Sequence, residues 1–134
     1  MNAKNGVPEY DIYINQGDDF YSTVKLSMGD EEVPLDISDC EFKFAGRYSL
    51  SDKKLAFEGS VEKLDTSTIK LYISNEVTGQ LSANTDYKSY RKLYYDVQMI
   101  RARRERRILQ GIAYLSAGTA YKVVNKDDRQ SDRG

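Results

Sequence analysis

The chain has 134 residues, a length that suits one domain with one hydrophobic core, and a formal net charge of -1. It contains no histidine and a single cysteine, Cys40. These counts exclude an internal disulfide and the usual zinc sites and Ser-His or Cys-His nucleophile arrangements, so we expect no enzymatic activity and no cofactor.

Apolar and polar residues alternate in the first third of the chain, which is the period of β-strands. The first predicted strand places Tyr10, Ile12 and Ile14 on its core face. After the turn sequence NQGDD, the second predicted strand has a core face made of Phe20, Val24, Leu26 and Met28, with Ser22 as a weak position. Around residues 33–37, Pro34 predicts a strand start, an edge or a loop, because proline has no N–H to donate.

The central segments continue the same pattern. CEFKFAGRY predicts a strand with Cys40, Phe42 and Phe44 in the core, and Cys40 is interpreted as a small buried residue rather than a reactive thiol. The next segment predicts a turn and a short strand through Leu55 and Phe57. STIKLYISN predicts a strand with three inward residues, Ile69, Leu71 and Ile73.

A short helix and two long strands complete the pattern. Val77 and Leu81 are four residues apart behind a polar cap, which predicts one or two helical turns limited by Gly79. The last two strands have inward faces formed by Leu93, Tyr95, Val97 and Met99, and by Leu109, Gly111, Ala113 and Leu115. About seven short strands and one helix predict an all-β, antiparallel sandwich or barrel.

The ends of the chain differ from this body. We expect an N-terminal arm at residues 1–9, a β-sandwich domain at 10–117 and a polar C-terminal tail at 118–134, with both arms flexible until they meet a partner. The N-terminus has no signal-peptide pattern and no segment approaches the roughly 20 apolar residues of a membrane span. We therefore expect synthesis in the cytoplasm and no contact with a membrane.

Residues 101–107, with the sequence RARRERR, contain five arginines and one glutamate. They connect the last two predicted strands and should lie at the tip of a hairpin. Because the run lacks the Asn-Gly or Asp-Gly of a tight turn, we expect either a longer loop or an extension of both strands beyond the sheet.

The arginine run has two interpretations. It is either a solvated tip or a binding site, since guanidinium groups bind carboxylate and phosphate bidentately. The candidate partner-binding arginines are Arg101, Arg103, Arg104, Arg106 and Arg107. If the run is a binding site, an acidic protein surface is preferred to nucleic acid as its partner, because the basic residues form one compact cluster rather than a broad basic face. Residues 1–60 carry 12 acidic and 6 basic residues and residues 61–134 carry 9 and 14, so a neighbouring copy could supply that acidic surface.

Two other groups of side chains are candidate sites. Asp18 and Asp19, and the acidic turn at residues 29–32, could hold calcium, but their spacing matches no calcium loop and turns are ordinarily rich in Asp and Gly. The chain has 11 tyrosines and no tryptophan. Tyr72 and Tyr94 should point away from the core, where exposed tyrosines suit a protein interface or a sugar platform.

The order of these motifs resembles the small immunoglobulin-like modules of structural proteins in tailed bacteriophages, including the N-terminal module of upper baseplate proteins. The resemblance is carried by INQGDDF at 14–20, PLDI at 34–37, a polar helical turn ending in leucine, Tyr-Asp-Val at 95–97 and Leu-x-Gly at 109–111, and it spans about residues 10–117. RARRERR departs from the short polar turn usual in that family.

The resemblance implies an immunoglobulin-like β-sandwich and a multi-copy structural protein of the virion, made in the host bacterial cytoplasm. Its partners would be other virion proteins, including copies of itself, in a ring or lattice, as an adaptor in the tail, neck or baseplate. A capsid decoration protein is a close alternative. A carbohydrate-binding module for host attachment and a small host-targeted regulator that binds nucleic acid are alternatives of other classes.

Overall fold

A computed structural model describes residues 6–28, 33–85 and 88–118, and within these ranges the chain forms ten strands and one short helix. The strands are β1 (Ile12–Asn15), β2 (Phe20–Lys25), β3 (Ser27–Met28), β4 (Val33–Pro34), β5 (Glu41–Arg47), β6 (Phe57–Glu58), β7 (Ser60–Lys63), β8 (Thr68–Ile73), β9 (Arg91–Arg101) and β10 (Arg104–Ser116). The helix is α1 (Asn75–Gly79), between β8 and β9.

Two sheets form the sandwich. One has five strands in the order β1-β10-β9-β5-β6, the other has three in the order β2-β8-β7, and β3 and β4 form a separate ribbon. The orders β10-β9-β5-β6 and β2-β8-β7 correspond to the G-F-C-C′ and B-E-D strands of an immunoglobulin domain. The predicted all-β, immunoglobulin-like sandwich is confirmed, with two differences: the described residues form ten strands rather than about seven, and β1 pairs with β10 in parallel.

The core lies between the two sheets and contains most of the residues predicted to face inward. Each sheet contributes fully buried side chains, because alternate residues of a half-buried strand face the opposite sheet. Those exposed by 1% or less include Cys40, Phe44, Ile69, Leu71, Ile73, Leu93, Val97, Ala113 and Leu115. Tyr95 is also buried, and its hydroxyl donates to the carbonyl of Tyr10. This bond gives the buried hydroxyl the hydrogen-bond partner that it would otherwise lack.

Two predictions are wrong: the place of Leu55 in a strand and the place of Tyr10 on the core face. Leu55 lies before β6 and is 44% exposed, because the strand begins only at Phe57. Tyr10 is 43% exposed because it precedes β1 at the open side of the sandwich, where its hydroxyl hydrogen-bonds with Ser22 Oγ at 3.0 Å. Met28 is also predicted to face inward, but its side chain lies outside the part of the molecule that the structure describes.

The predicted strand through Phe57 is followed by a second strand that sequence reasoning missed. β6 belongs to the five-stranded sheet and β7 to the three-stranded sheet, so the chain changes sheets at Gly59. The Gly59 N–H donates to the Phe44 carbonyl at 2.8 Å. A Cβ at Gly59 would lie 2.7 Å from the carbonyl oxygen of Tyr72, so the crossing requires glycine.

The predicted helical turn is confirmed. Ser74 caps α1 by accepting a bond from the Val77 N–H, and Leu81 beyond the helix is buried. Thr78 is fully buried and its hydroxyl donates to the carbonyl of Asp18 at 2.8 Å, which ties α1 to the β1–β2 turn. No helix in the described residues is long and apolar enough to cross a membrane.

The proposed arms fall mostly outside the described residues, which leave out 1–5 and 119–134. The described part of the N-terminal arm follows β10: the Gln110 N–H donates to the Pro8 carbonyl at 3.1 Å. At the other end the Gly118 N–H donates to Oε1 of the buried Gln16 at 2.9 Å. The N-terminal run therefore pairs with β10 from Pro8 onward.

Candidate functional site

The hairpin between β9 and β10 ends in a two-residue turn made of Ala102 and Arg103, flanked by the pair Arg101 and Arg104. The φ angles of Ala102 and Arg103 are 51° and 69°. Positive φ at both central residues is the requirement of a type I′ turn, whose twist matches that of a hairpin. Of the two geometries expected from the sequence, the structure shows the strand extension and not the longer loop.

This turn is made from residues that disfavour it. Asn-Gly is the usual choice, since glycine has no Cβ and asparagine tolerates the left-handed region. An L-residue with a side chain in that region costs roughly 1–2 kcal/mol. Ala102 and Arg103 therefore reduce the stability of the tip, and strain of this kind is often found where a segment has a role other than stability.

Arg101 anchors the hairpin to the loop that precedes β5. Its Nε lies 3.2 Å from Asp39 Oδ1, and its Nη2 donates to the carbonyl of Asp36. A side-chain hydrogen bond with Cys40 and the carboxylate of Asp39 raise the pKa of Arg101 above its usual value. Arg101 therefore holds the base of the tip in place.

Arg107 is also engaged within the chain. Its Nε lies 3.3 Å from Asp96 Oδ2, and its Nη1 donates to Gln110 Oε1 at 3.0 Å. The carboxylate of Glu105 lies 3.9 Å from the Lys43 amine, and both side chains are more than half exposed, so this pair adds little stability. These contacts lie on the outer surface of the five-stranded sheet.

The side chains of the remaining three arginines, Arg103, Arg104 and Arg106, are exposed and make no hydrogen bond or ion pair with the described residues. We call these three residues the arginine tip. Arg104 lies opposite Arg101 and Arg106 opposite Met99, so both project from the same side of the hairpin. The strand rise places these two about 7 Å apart along β10. The tip thus presents guanidinium groups to solvent on a base held by Arg101 and Arg107.

The two candidate tyrosines lie on different outer surfaces. Tyr94 is on the outer face of the five-stranded sheet, opposite Arg47 and Ile112. Tyr72 is on the outer face of the three-stranded sheet, with its ring centroid 5.1 Å from that of Tyr21. Partial desolvation and the nearby Asp19 carboxylate raise the pKa of Tyr72. The structure therefore does not bring Tyr72, Tyr94 and the arginine tip together into one site.

A cluster of three tyrosines was missed by sequence reasoning. The rings of Tyr13 and Tyr114 stack at 5.2 Å with an angle of 17° between their planes, and Tyr90 meets both edge-on at about 6 Å. Alternation in β1 and β10 places Tyr13 and Tyr114 outside, but only the parallel pairing of these strands makes them neighbours. Since the two rings cover each other's faces, the cluster offers ring edges more than a flat stacking surface for a sugar.

Acidic groups do not converge in the described residues, where no cluster of three or more His, Cys, Asp or Glu side chains could hold a metal ion. Of the acidic residues considered for calcium, Asp19 accepts a bond from the Asn75 N–H at 2.7 Å and so serves the start of α1. The acidic turn at 29–32 lies outside the described residues.

No protein-family model and no curated protein matches the chain. Among solved structures, a DUF4785 family protein from Legionella pneumophila is 17% identical with a TM-score of 0.42, over 80% of this chain and 26% of its own length. The titin M3 domain is 12% identical with a TM-score of 0.38, over 83% and 90%. Murine CRIg is 11% identical with a TM-score of 0.39, over 81% and 92%.

The chain spans about a quarter of the Legionella protein. None of these three is described as a bacteriophage protein, so the resemblance to phage modules remains a hypothesis. The immunoglobulin-like fold rests on the strand order of the two sheets themselves.

Proposed function

We propose that this protein is a non-enzymatic structural adaptor whose arginine tip docks on a carboxylate-rich surface of a neighbouring protein. The observation that carries the proposal is the contrast within the arginine run. Arg101 and Arg107 are engaged and fix the hairpin, whereas the side chains of Arg103, Arg104 and Arg106 are solvent-exposed and make no hydrogen bond or ion pair with the described residues. Arg103 is a central residue of a turn that costs stability, and Arg104 follows it directly.

A carboxylate partner fits this arrangement better than nucleic acid. The guanidinium fork matches a carboxylate bidentately, and two such groups about 7 Å apart along one strand match acidic side chains on a protein surface. Binding to nucleic acid relies on a broader basic surface with aromatic rings that stack on bases. The tyrosine cluster lies on β1 and β10 toward the opposite end of the sandwich from the tip.

We extend the proposal to the virion of a tailed bacteriophage, on the strength of the motif order resembling phage immunoglobulin-like modules. The protein would be present in multiple copies in the tail, neck or baseplate, in contact with other virion proteins and with copies of itself. A position on the capsid lattice, as a decoration protein, is the close alternative. The absence of histidine supports a non-enzymatic role in either place.

The virion assignment is tested by quantitative mass spectrometry of purified particles from the source. A copy number equal to one or a few rings, relative to the major capsid protein, is the expected result. A copy number that scales with the capsid lattice would favour decoration, and absence from particles would refute the virion assignment.

The docking assignment is tested separately by the variant R103S/R104S/R106S. Assembly into particles, or binding to the protein that cross-links to the tip, should fall at least tenfold, and should weaken with salt as exposed charge pairs do. The matched control is K53S/K54S/K92S, which removes the same charge from exposed positions elsewhere. Equal behaviour of the two variants would refute the tip as the docking site. If the wild type binds DNA in a salt-dependent way and only the arginine variant loses this binding, the function of the tip would instead be nucleic-acid binding.

A further inference from the structure

The outer edge of β2 has no partner strand in the described residues. β2 is the end strand of its sheet and pairs only with β8. The N-terminal run that could have lain beside it follows β10 instead, with Glu9 paired to Gln110 and β1 paired to residues 113–116. No main-chain hydrogen bond from the described chain reaches this edge.

The main-chain hydrogen bonds at the ends of β2 and β8 show which groups face the open edge. The Leu26 N–H donates to Ser67 O at 2.8 Å on the β2 side of β8, and the Leu64 N–H donates to Thr68 O at 2.9 Å on the β7 side. Since bonding direction alternates along antiparallel strands, Phe20, Ser22 and Val24 bond to β8. Tyr21, Thr23 and Lys25 therefore turn their N–H and C=O groups outward.

The side chains of β2 also show incomplete cover. Phe20 and Val24 face the core, yet they are only partly buried, whereas Ile69, Leu71 and Ile73 on the adjacent β8 are at most 1% exposed. The core is therefore less well covered along β2 than along β8.

β2 has few of the features that protect an edge from pairing. Natural edge strands are blunted by proline, bulges, short length or charged side chains, especially lysine. β2 has six residues, contains no proline, keeps a continuous register with β8, and carries one charge, Lys25, at its end. A strand of this kind is a template for another strand.

We propose that a second copy of this chain pairs through β2, antiparallel, with Thr23 opposite Thr23 of the partner subunit. This register makes Tyr21 face Lys25 of the partner subunit on both sides of the two-fold axis, and all of these residues offer outward-facing main-chain groups. Threonine pairs and aromatic–cation pairs across strands are favourable. On the core side, Phe20 would lie opposite Leu26 of the partner subunit.

Charge and polarity favour a second copy at this edge. The register places no like charges opposite each other, whereas a self-pair along β10 at residues 104–107 would bring arginines together. A two-fold axis through Thr23 reverses the strand direction, so the two arginine tips would point to opposite ends of a continuous six-stranded sheet. Such a dimer could link two partners, and it forms without the arginine tip.

The test is sedimentation equilibrium from low micromolar concentration to the solubility limit, on the full chain. The wild type should be a dimer. T23K places like charges face to face across the axis, and T23P removes an outward N–H without removing a bond to β8, so both should dissociate at least tenfold more readily. The matched control T66K adds the same charge in the exposed β7–β8 turn and should remain a dimer. Circular dichroism of each variant verifies that it folds.

Amide hydrogen exchange provides a second readout. The amides of Tyr21, Thr23 and Lys25 should be protected in the wild type and exchange fast in monomeric T23K. Three results would each overturn the proposal: a monomeric wild type, a T23K variant as dimeric as T66K, or protection of these amides in the T23K monomer. The last result would mean that another segment of the same chain covers the edge. R103S/R104S/R106S should dimerise normally, so failure of the docking proposal would not affect this result.

Discussion

Replacing Arg103 by glycine should stabilise the protein, although it removes a side chain and adds none. Arg103 occupies the second central position of the hairpin turn with φ at 69°. Moving an L-residue out of this region recovers roughly 1–2 kcal/mol, while the greater freedom of glycine in the unfolded chain costs roughly 0.5–1 kcal/mol. The net gain should be about 0.5–1 kcal/mol, equal to a rise in melting temperature of roughly 2–6 °C for a domain of this size.

The charge of Arg103 must be separated from its backbone geometry. R103G also removes a cation beside Arg101 and Arg104, which adds some tenths of a kcal/mol through reduced repulsion. R103S removes the same charge but keeps a Cβ at positive φ, so the difference between R103G and R103S reports the backbone alone. The double variant A102N/R103G, which restores the favoured Asn-Gly turn, should be the most stable of the series.

Thermal and urea unfolding followed by circular dichroism measure this series. If R103G is no more stable than R103S, the turn is not strained, and the argument that the tip sacrifices stability loses its basis. If R103G is more stable but docks less well, stability and binding oppose each other at this residue, as the proposed function requires.

Three further variants, Y95F, G111A and D36N, test individual contacts of the structure. Y95F should lower the free energy of unfolding by about 1 kcal/mol, because the carbonyl of Tyr10 loses its donor. Burial raises the pKa of Tyr95 above its usual 10.0, so the contribution of Tyr95 to stability is full below pH 10 and is lost as the pH rises further. In urea unfolding, the stability of Y95F should therefore fall less steeply than that of the wild type at alkaline pH. Equal slopes would contradict this. G111A should lower the free energy of unfolding by about 2–3 kcal/mol, because the new Cβ would lie 2.3 Å from the carbonyl oxygen of Tyr10. A loss of stability below about 0.5 kcal/mol would show that the main chain at Tyr10 simply moves aside. Hydrogen bonds from the Ser38 N–H and hydroxyl lower the pKa of Asp36 below 3.8. The contribution of Asp36 to stability is therefore present above pH 3.8 and is lost as the pH falls through the lowered pKa. Stability should fall less steeply in D36N than in the wild type over this acid range, and an unchanged profile would contradict the argument.

Sequence reasoning located the arginine run at a hairpin tip but not the state of each arginine. The alternation of Leu93 to Met99 and Leu109 to Leu115 was enough to predict two long neighbouring strands. It could not show that Arg101 reaches the carbonyl of Asp36, which is 65 residues away in sequence. Nor could composition alone predict a tight turn, since Ala102 and Arg103 adopt it against their own preference.

The sequence by itself determined which face of the longer strands is buried, because period-two alternation records the burial of side chains. It also determined the short helix after β8, through a polar cap and two apolar residues four apart. Only the tertiary structure decided the sheet to which each strand belongs: β6 and β7 separate at Gly59, and β1 joins β10 in parallel, so that among the described residues β2 has a partner strand on one side only. The physical reason is that main-chain hydrogen bonds carry no side-chain signature, so pairing between distant strands follows from the packing of the whole chain.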